Sequence, residues 1–286
     1  MLDPITQELA KDKPPVDGET GENGTAADED SDDWEDQDDG FVDVKASAGL
    51  HHRNIDNRLA SVQNRLPFSF HPNFRPLTIS DLDSCEVLEN GAFENPAHRC
   101  TREKFEYRLT ACPEICFGVF CTILPEDFER FQIDTFPTSH AVETRRENGG
   151  RSVLVAHIVA TKSDEAVVTD AAMGYPRDFR ARTPGTSLLG HDDTGRTVCI
   201  HSLAVHPRLQ SCGLGKCIVK SYLQHVQSSG FADRCALICQ DYLVSYYEKL
   251  GFSHMGPSSA GFGGGGWNDM VLDFDRFHMH MPEIKI

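Results

Sequence analysis

The sequence predicts a mixed α/β fold built on one sheet. Apolar, β-branched runs alternate with segments of helical period, and antiparallel-type strand pairs stand before and after that alternation. A third observation fixes the centre of the fold. Val198-Cys-Ile-His-Ser-Leu-Ala-Val205 reads as a strand, Pro207 ends its pairing, and Gln210 to Gly215 turns directly into a helical pattern. Such a turn leaves the first amides of the helix unpaired and outward-facing, an arrangement that suits the oxygens of a pyrophosphate. By themselves Gly213 and Gly215 are also readable, as the lesser alternative, as a plain helix-start turn. Two familiar phosphate loops are excluded. A Walker loop needs glycine where Gln210 stands and a hydroxyl residue where Cys217 stands. A dinucleotide fingerprint needs a third glycine near Ile218.

The elements follow in order. Residues 1–45 hold 16 acids and 3 lysines, whereas residues 46–286 hold 28 acids and 24 basic residues. The first segment therefore carries most of the net charge of −17 and reads as an acidic disordered tail. Residues 46–73 read as a linker. Phe74 to Ile79 is the first strand, Ser80 or Asp81 caps the next helix, and Gly91 to Pro96 breaks it. A second helix starts near Thr101 and carries Phe105 and Leu109 on one face. Ile115 to Leu124 and Arg151 to Ala160 are neighbouring strands, joined through a connection with a short helix near Glu126 to Phe131.

Residues 164–195 form an insertion, with a short helix at Glu165 to Met173 and a loop beyond it. A lid, a partner surface and a disordered insertion are all compatible with it. Gly215 to Gln227 is a helix ending at Gly230, Arg234 to Cys239 a buried strand, and Leu243 to Leu250 a helix closed by Gly251. Phe252 to Met255 and Trp267 to Phe274 make a final antiparallel pair, with a mobile glycine-rich connector from 256 to 266. Residues 276–286 are a C-terminal tail, and its histidines are loose surface groups.

Three further stretches join the central one: Leu109-Thr-Ala-Cys-Pro-Glu-Ile115, His201-Ser-Leu-Ala-Val-His206, and Leu237-Ile-Cys-Gln-Asp-Tyr-Leu-Val-Ser-Tyr-Tyr-Glu-Lys-Leu-Gly-Phe252. With Gln210-Ser-Cys-Gly-Leu-Gly215, their order and spacing from about Phe74 to Phe274 resemble the GNAT superfamily of N-acetyltransferases. Within it they resemble the arylalkylamine (serotonin) N-acetyltransferase branch, whose fungal members include polyamine acetylases. The resemblance implies the acyl-CoA N-acyltransferase fold for residues 74–275, with two central parallel strands splaying apart at 198–205 and 234–239. It also implies acetyl-CoA as cosubstrate. Leu203, Ala204 and Val205 would face the pantetheine arm, and Gln210, Ser211, Cys212, Gly213, Leu214, Gly215 and Lys216 the pyrophosphate.

The chemistry needs a group to take a proton from an amine and one to return a proton to a thiolate. His201 is the candidate base; on the residues alone, a satisfied strand histidine fits as well, and the resemblance favours catalysis. Tyr247 matches the family tyrosine that faces the CoA sulfur, against the plainer reading of packed rings for both Tyr246 and Tyr247. The family pattern has a second histidine where this chain has Cys199, which reads as a structural thiol. Cys112-Pro-Glu-Ile115 resembles the segment lining the amine pocket, so Cys112, Pro113, Phe117 and His201 are the expected substrate contacts. His206 reads as structural.

The expected activity is acetylation of small primary amines, arylalkylamines first, by direct attack in a ternary complex. Polyamines, protein lysines or N-termini are the alternative substrates, and a non-catalytic acyl-CoA-binding protein is the alternative class. The charge pattern excludes nonspecific nucleic-acid binding, and no run of 18 apolar residues suggests a membrane span. Ten dispersed cysteines without zinc-type pair spacing predict free thiols and no metal. A cytoplasmic monomer is expected, with a possible protein partner for the acidic tail.

Overall fold

The computed structural model describes residues 71–131, 148–181 and 187–275, with a few positions between 60 and 69. The expectations for the acidic tail, most of the linker and the C-terminal tail lie outside the described residues.

Seven strands form one sheet: β1 (Pro72–Pro76), β2 (Phe117–Ile123), β3 (Arg151–Ser163), β4 (Thr197–Val205), β5 (Arg234–Cys239), β6 (Ser253–Pro257) and β7 (Asn268–Asp273). Their order is β1-β2-β3-β4-β5-β7-β6. Only β4 and β5 run parallel, and they are joined by a right-length crossover helix. The helices are α1 (Leu82–Ala92), α2 (Arg102–Ala111), α3 (Pro125–Phe131), α4 (Asp170–Met173), α5 (Leu214–Ser229) and α6 (Val244–Glu248).

Side chains alternate along β2 between two cores. Val119 and Cys121 join Ile218, Tyr222 and Val226 of α5 on one face. Phe120 joins Leu88 of α1 and Phe105 and Leu109 of α2 on the other. A third, smaller cluster sets Ala172 and Met173 of α4 against Cys199 and Ala236.

Local chemistry sets most boundaries. Thr101 caps α2 by accepting the Lys104 amide. Gly230 ends α5 in the left-handed region at φ 66°, where its N–H meets the Gln227 carbonyl. β1 stops at Pro76, short of the expected Ile79. The reason is a turn: the Thr78 amide and hydroxyl both donate to Asp81, and Arg75 clamps the same carboxylate through two 2.8 Å hydrogen bonds. α1 ends at Ala92, inside the Gly91 to Pro96 stretch expected to break it. The expected Glu165 helix contracts to α4, because Thr169 accepts the Ala172 amide and starts the helix there.

Two register shifts matter for the site. Across β3 and β4, Val159 faces Ser202 and Ala160 faces Ile200, so His201 is the extra residue of a β-bulge. Between β4 and β5, pairing runs from Thr197↔Arg234 to Ile200↔Leu237 and stops there. Beyond Ile200 the two central strands have separated.

Candidate active site

The bulge decides what His201 can touch. Strict alternation would turn Ser202 away from the face that holds His201. Instead both turn to the α1, α2 and α4 face. His201 meets Thr161 of β3, and Ser202 meets Glu89 of α1. Bulges re-aim side chains in this way at the cost of one ladder position.

Thr161 fixes the imidazole's tautomer. Its single hydroxyl proton goes to the Ala172 carbonyl of α4 at 3.3 Å. Its oxygen therefore accepts from His201 Nε2–H at 2.7 Å. That leaves the Nδ1 lone pair, a buried atom without a hydrogen-bond partner. Burial first, then the positive charges of Arg108 and Lys104, hold the proton affinity of His201 well below the usual histidine range. The group is a neutral imidazole with an open acceptor.

A cleft opens where β4 leaves β5. His201, Ser202 and Leu203 line one side, Leu237 to Gln240 the other, and Tyr242, Leu243 and Tyr247 close it from the α6 end. His201 and Tyr247 thus stand in the walls of one cavity. Burial first, with Tyr246, Cys239 and Tyr242 nearby, holds the Tyr247 phenol well above its usual pKa, so it remains protonated. The adjacent Tyr246 ring is T-shaped to it at 5.1 Å and points elsewhere. Its hydroxyl lies 3.2 Å from where a Cβ on Gly215 would stand.

The turn after β4 is built for close approach. Ser211 and Gly213 both take left-handed backbone angles, φ 62° and 76°, and no side chain caps Gly213. The opening amides of α5 are therefore presented outward. Gln210 donates to the Val205 carbonyl at 3.3 Å and holds the loop against the strand end. Lys216 is exposed on the first turn of α5.

Residues 180–272 match the family model described as an acetyltransferase (GNAT) domain. Serotonin N-acetyltransferase of Mesocricetus auratus is 30% identical over 192 residues, covering 66% of this chain and 72% of the relative. That of Macaca mulatta is 30% identical over 203 residues, covering 70% and 76%. The chain belongs to the GNAT acetyltransferase family. Among solved structures, the loading GNATL domain of CurA from Lyngbya majuscula aligns over 72% of this chain and 99% of its own, at 14% identity and a TM-score of 0.48.

This acetyltransferase uses acetyl-CoA, the family's acetyl donor, and its residues fit that molecule. The uncapped amides of Leu214 and Gly215, the absence of a Cβ at Gly213 and Gly215, and the β5-facing edge of β4 from Leu203 to Val205, which pairs with β3 but not with β5, offer donors and room for a phosphate-bearing, extended ligand. Ala204 itself is fully buried in the core under α1, so only its backbone is available. Cys212 is half-buried and packs on the α5 core.

Other expected residues lie elsewhere. Cys112 is fully buried, and its thiol donates to the Ala160 carbonyl at 3.4 Å. Phe117 packs its ring on His225 at 4.5 Å and on Tyr222, on the α5 face. Neither they nor Pro113 are among the residues lining the cleft that holds His201; Phe117 turns to the α5 side of the sheet. Cys199 is buried, and desolvation pushes its thiol up to about 12, so it is no thiolate nucleophile. His206 accepts the Arg208 amide through Nδ1 and caps the following turn, as expected of a structural group.

Sequence reasoning missed the outer walls. Phe93, His98, Met173, Phe262 and Trp267 complete the cleft. His98 and Trp267 meet edge to face at 4.9 Å, and Phe262 stacks on Trp267 at 6.3 Å. Phe262 lies in the glycine-rich connector and Trp267 directly after it, and the connector's composition signals only a loop. Among the described residues all ten cysteines are free thiols, and no group of His, Cys, Asp or Glu could hold a metal ion. No helix among them is long and apolar enough to cross a membrane.

Proposed function

We propose that the protein acetylates small arylalkylamines, by direct attack of the amine on the thioester in a ternary complex. The observation that carries this reading is the composition of the cleft. Beside His201 and Tyr247 its outer walls are aromatic, and none of the described residues lining it is Asp or Glu. A polyamine carries several separated charges and calls for carboxylates; an aryl ring calls for aromatic walls. Glu114 is exposed away from the cleft, and Asp241 is taken up by Asn268 at 2.7 Å. The serotonin N-acetyltransferases among the relatives agree with this substrate class.

Acetyl-CoA supplies an activated acyl carbon and a thiolate leaving group. His201 takes a proton from the bound amine on Nδ1, directly or through a water, so that the amine's lone pair is free to attack the acyl carbon, while Thr161 and Ala172 hold the other imidazole nitrogen in place. Tyr247, kept protonated by burial, returns a proton to the departing sulfur. The aromatic walls hold the ring of the amine so that its nitrogen reaches the base, and this positioning supplies a large part of the rate.

The test is initial-rate acetyl transfer from acetyl-CoA to tryptamine, phenethylamine, spermidine and a lysine peptide. Turnover of the two arylalkylamines with the highest kcat/KM is expected. Preference for spermidine or the peptide would overturn the substrate class. CoA binding with no turnover of any amine would overturn the catalytic assignment.

A further inference from the structure

The glycine-rich connector presents a physical problem. Gly263, Gly264, Gly265 and Gly266 all take positive φ, between 58° and 104°. Such a run has no intrinsic preference for one conformation, and ordering it costs more chain entropy than ordering any other sequence. Yet the residues flanking it, Phe262 and Trp267, form the aromatic wall of the cleft. Something outside the connector has to hold it.

The anchor comes from the insertion. The Asp170 carboxylate, at the start of α4, accepts the Gly261 amide on Oδ2 at 2.9 Å and the Phe262 amide on Oδ1 at 3.1 Å. Both oxygens are engaged, one by each of two consecutive amides, so the peptide is fixed in direction as well as position. From Phe262 the fix passes to the wall itself: Trp267 Nε1 donates to the Phe262 carbonyl at 2.6 Å. Lys104 stands over the Phe262 ring at 4.7 Å, His98 bonds the Gly263 backbone, and Ala260 packs into the cluster with Ala172 and Met173. Two residues along from Asp170, the Ala172 carbonyl holds the Thr161 hydroxyl that orients His201. One short helix thus touches both the base and the acceptor wall.

We propose that Asp170 is a positioning residue for the amine-binding wall, carried to it by the segment that follows β3. This rests on the reading above that the amine sits against Phe262 and Trp267. Among the described residues the hydrogen bonds of the Asp170 carboxylate go to Gly261 and Phe262 rather than to the cofactor loop, so its effect falls on one substrate.

Asp170→Ala and Asp170→Asn, compared with wild type by initial rates against both substrates, test this. Asp170→Ala should raise the KM for tryptamine about tenfold, the loss expected for charge-assisted hydrogen bonds, with the KM for acetyl-CoA unchanged. Asp170→Asn keeps one acceptor oxygen and should recover part of the loss. An unchanged amine KM, or a parallel rise in the acetyl-CoA KM, overturns the proposal. Should the wild type turn over no arylalkylamine, the functional reading fails and the anchor is read directly. With Trp34→Phe in the background, Trp267 is the remaining tryptophan. Asp170→Ala should then shift its emission to the red and raise its quenching by acrylamide; identical spectra would sink the proposal.

Discussion

Ser202 Oγ donates to Glu89 Oε2 across 2.6 Å, joining residues 113 positions apart in the chain. The same oxygen receives His157 Nε2 at 3.1 Å, and Oε1 takes the Cys100 amide at 2.7 Å. Glu89, His157 and Ser202 are all buried. One carboxylate thereby ties α1, β3, β4 and the turn before α2 together beneath the cleft. Glu89→Ala takes the acceptor from the Cys100 amide and leaves Ser202 and His157 to bond only each other, and should lower unfolding free energy by about 3 kcal/mol. Ser202→Ala loses one partner and should cost about 1 kcal/mol. Urea unfolding followed by circular dichroism measures both.

The acid side of the pH profile should be displaced. Burial and the two cations hold His201 below its ordinary value of 6.5, so it remains neutral where a free histidine charges. The acid limb of kcat/KM for the amine should therefore fall below pH 6.5. The sign for stability is the same: the unfolded chain takes up this proton first, so the contribution of His201 is present above 6.5 and is lost as pH falls. His201→Ala should cut kcat about a hundredfold and remove that limb.

Thr161→Val keeps the shape of the side chain and deletes the hydroxyl that stands between His201 and Ala172. Nε2–H then loses its acceptor, and the imidazole is free to change tautomer. A drop in kcat of about tenfold is expected, part of the general-base contribution, with the acetyl-CoA KM unchanged. Thr161→Ser, which keeps the oxygen, should restore most of the rate; steady-state kinetics on both variants decides it.

Tyr247→Phe removes a phenol and little else from the cleft wall. If Tyr247 returns the proton to sulfur, kcat should fall about a hundredfold at constant acetyl-CoA KM. The phenol is held well above 10, so no basic limb from Tyr247 should appear in the wild-type profile below that pH.

The central strand, its turn and α5 were legible in sequence because their signals are local. Pro207 ends pairing, glycines open the turn, and Thr101 and Gly230 mark helix ends within a residue or so. His201 and Tyr247 were legible through a motif, and they do stand in one cleft. The bulge was not, because it depends on how β4 registers against a strand about forty residues away. The aromatic wall was not either: Phe93, His98, Phe262 and Trp267 come from loops far apart in sequence, and none has a periodicity. Phe117 shows the same limit: which face of β2 it occupies is set by pairing, and its ring packs on Tyr222 and His225 of α5.

The separation of β4 from β5 after Ile200↔Leu237 leaves an open strand edge inside the sheet rather than at its border. At a border, unpaired amides and carbonyls invite another polypeptide to add itself. Here the gap lies between two strands of one sheet, and the cleft beside it is walled by Leu243 and Tyr247. The interruption therefore keeps inside the molecule a hazard that belongs to border strands, with the freed strand ends lining a cleft rather than an outer edge.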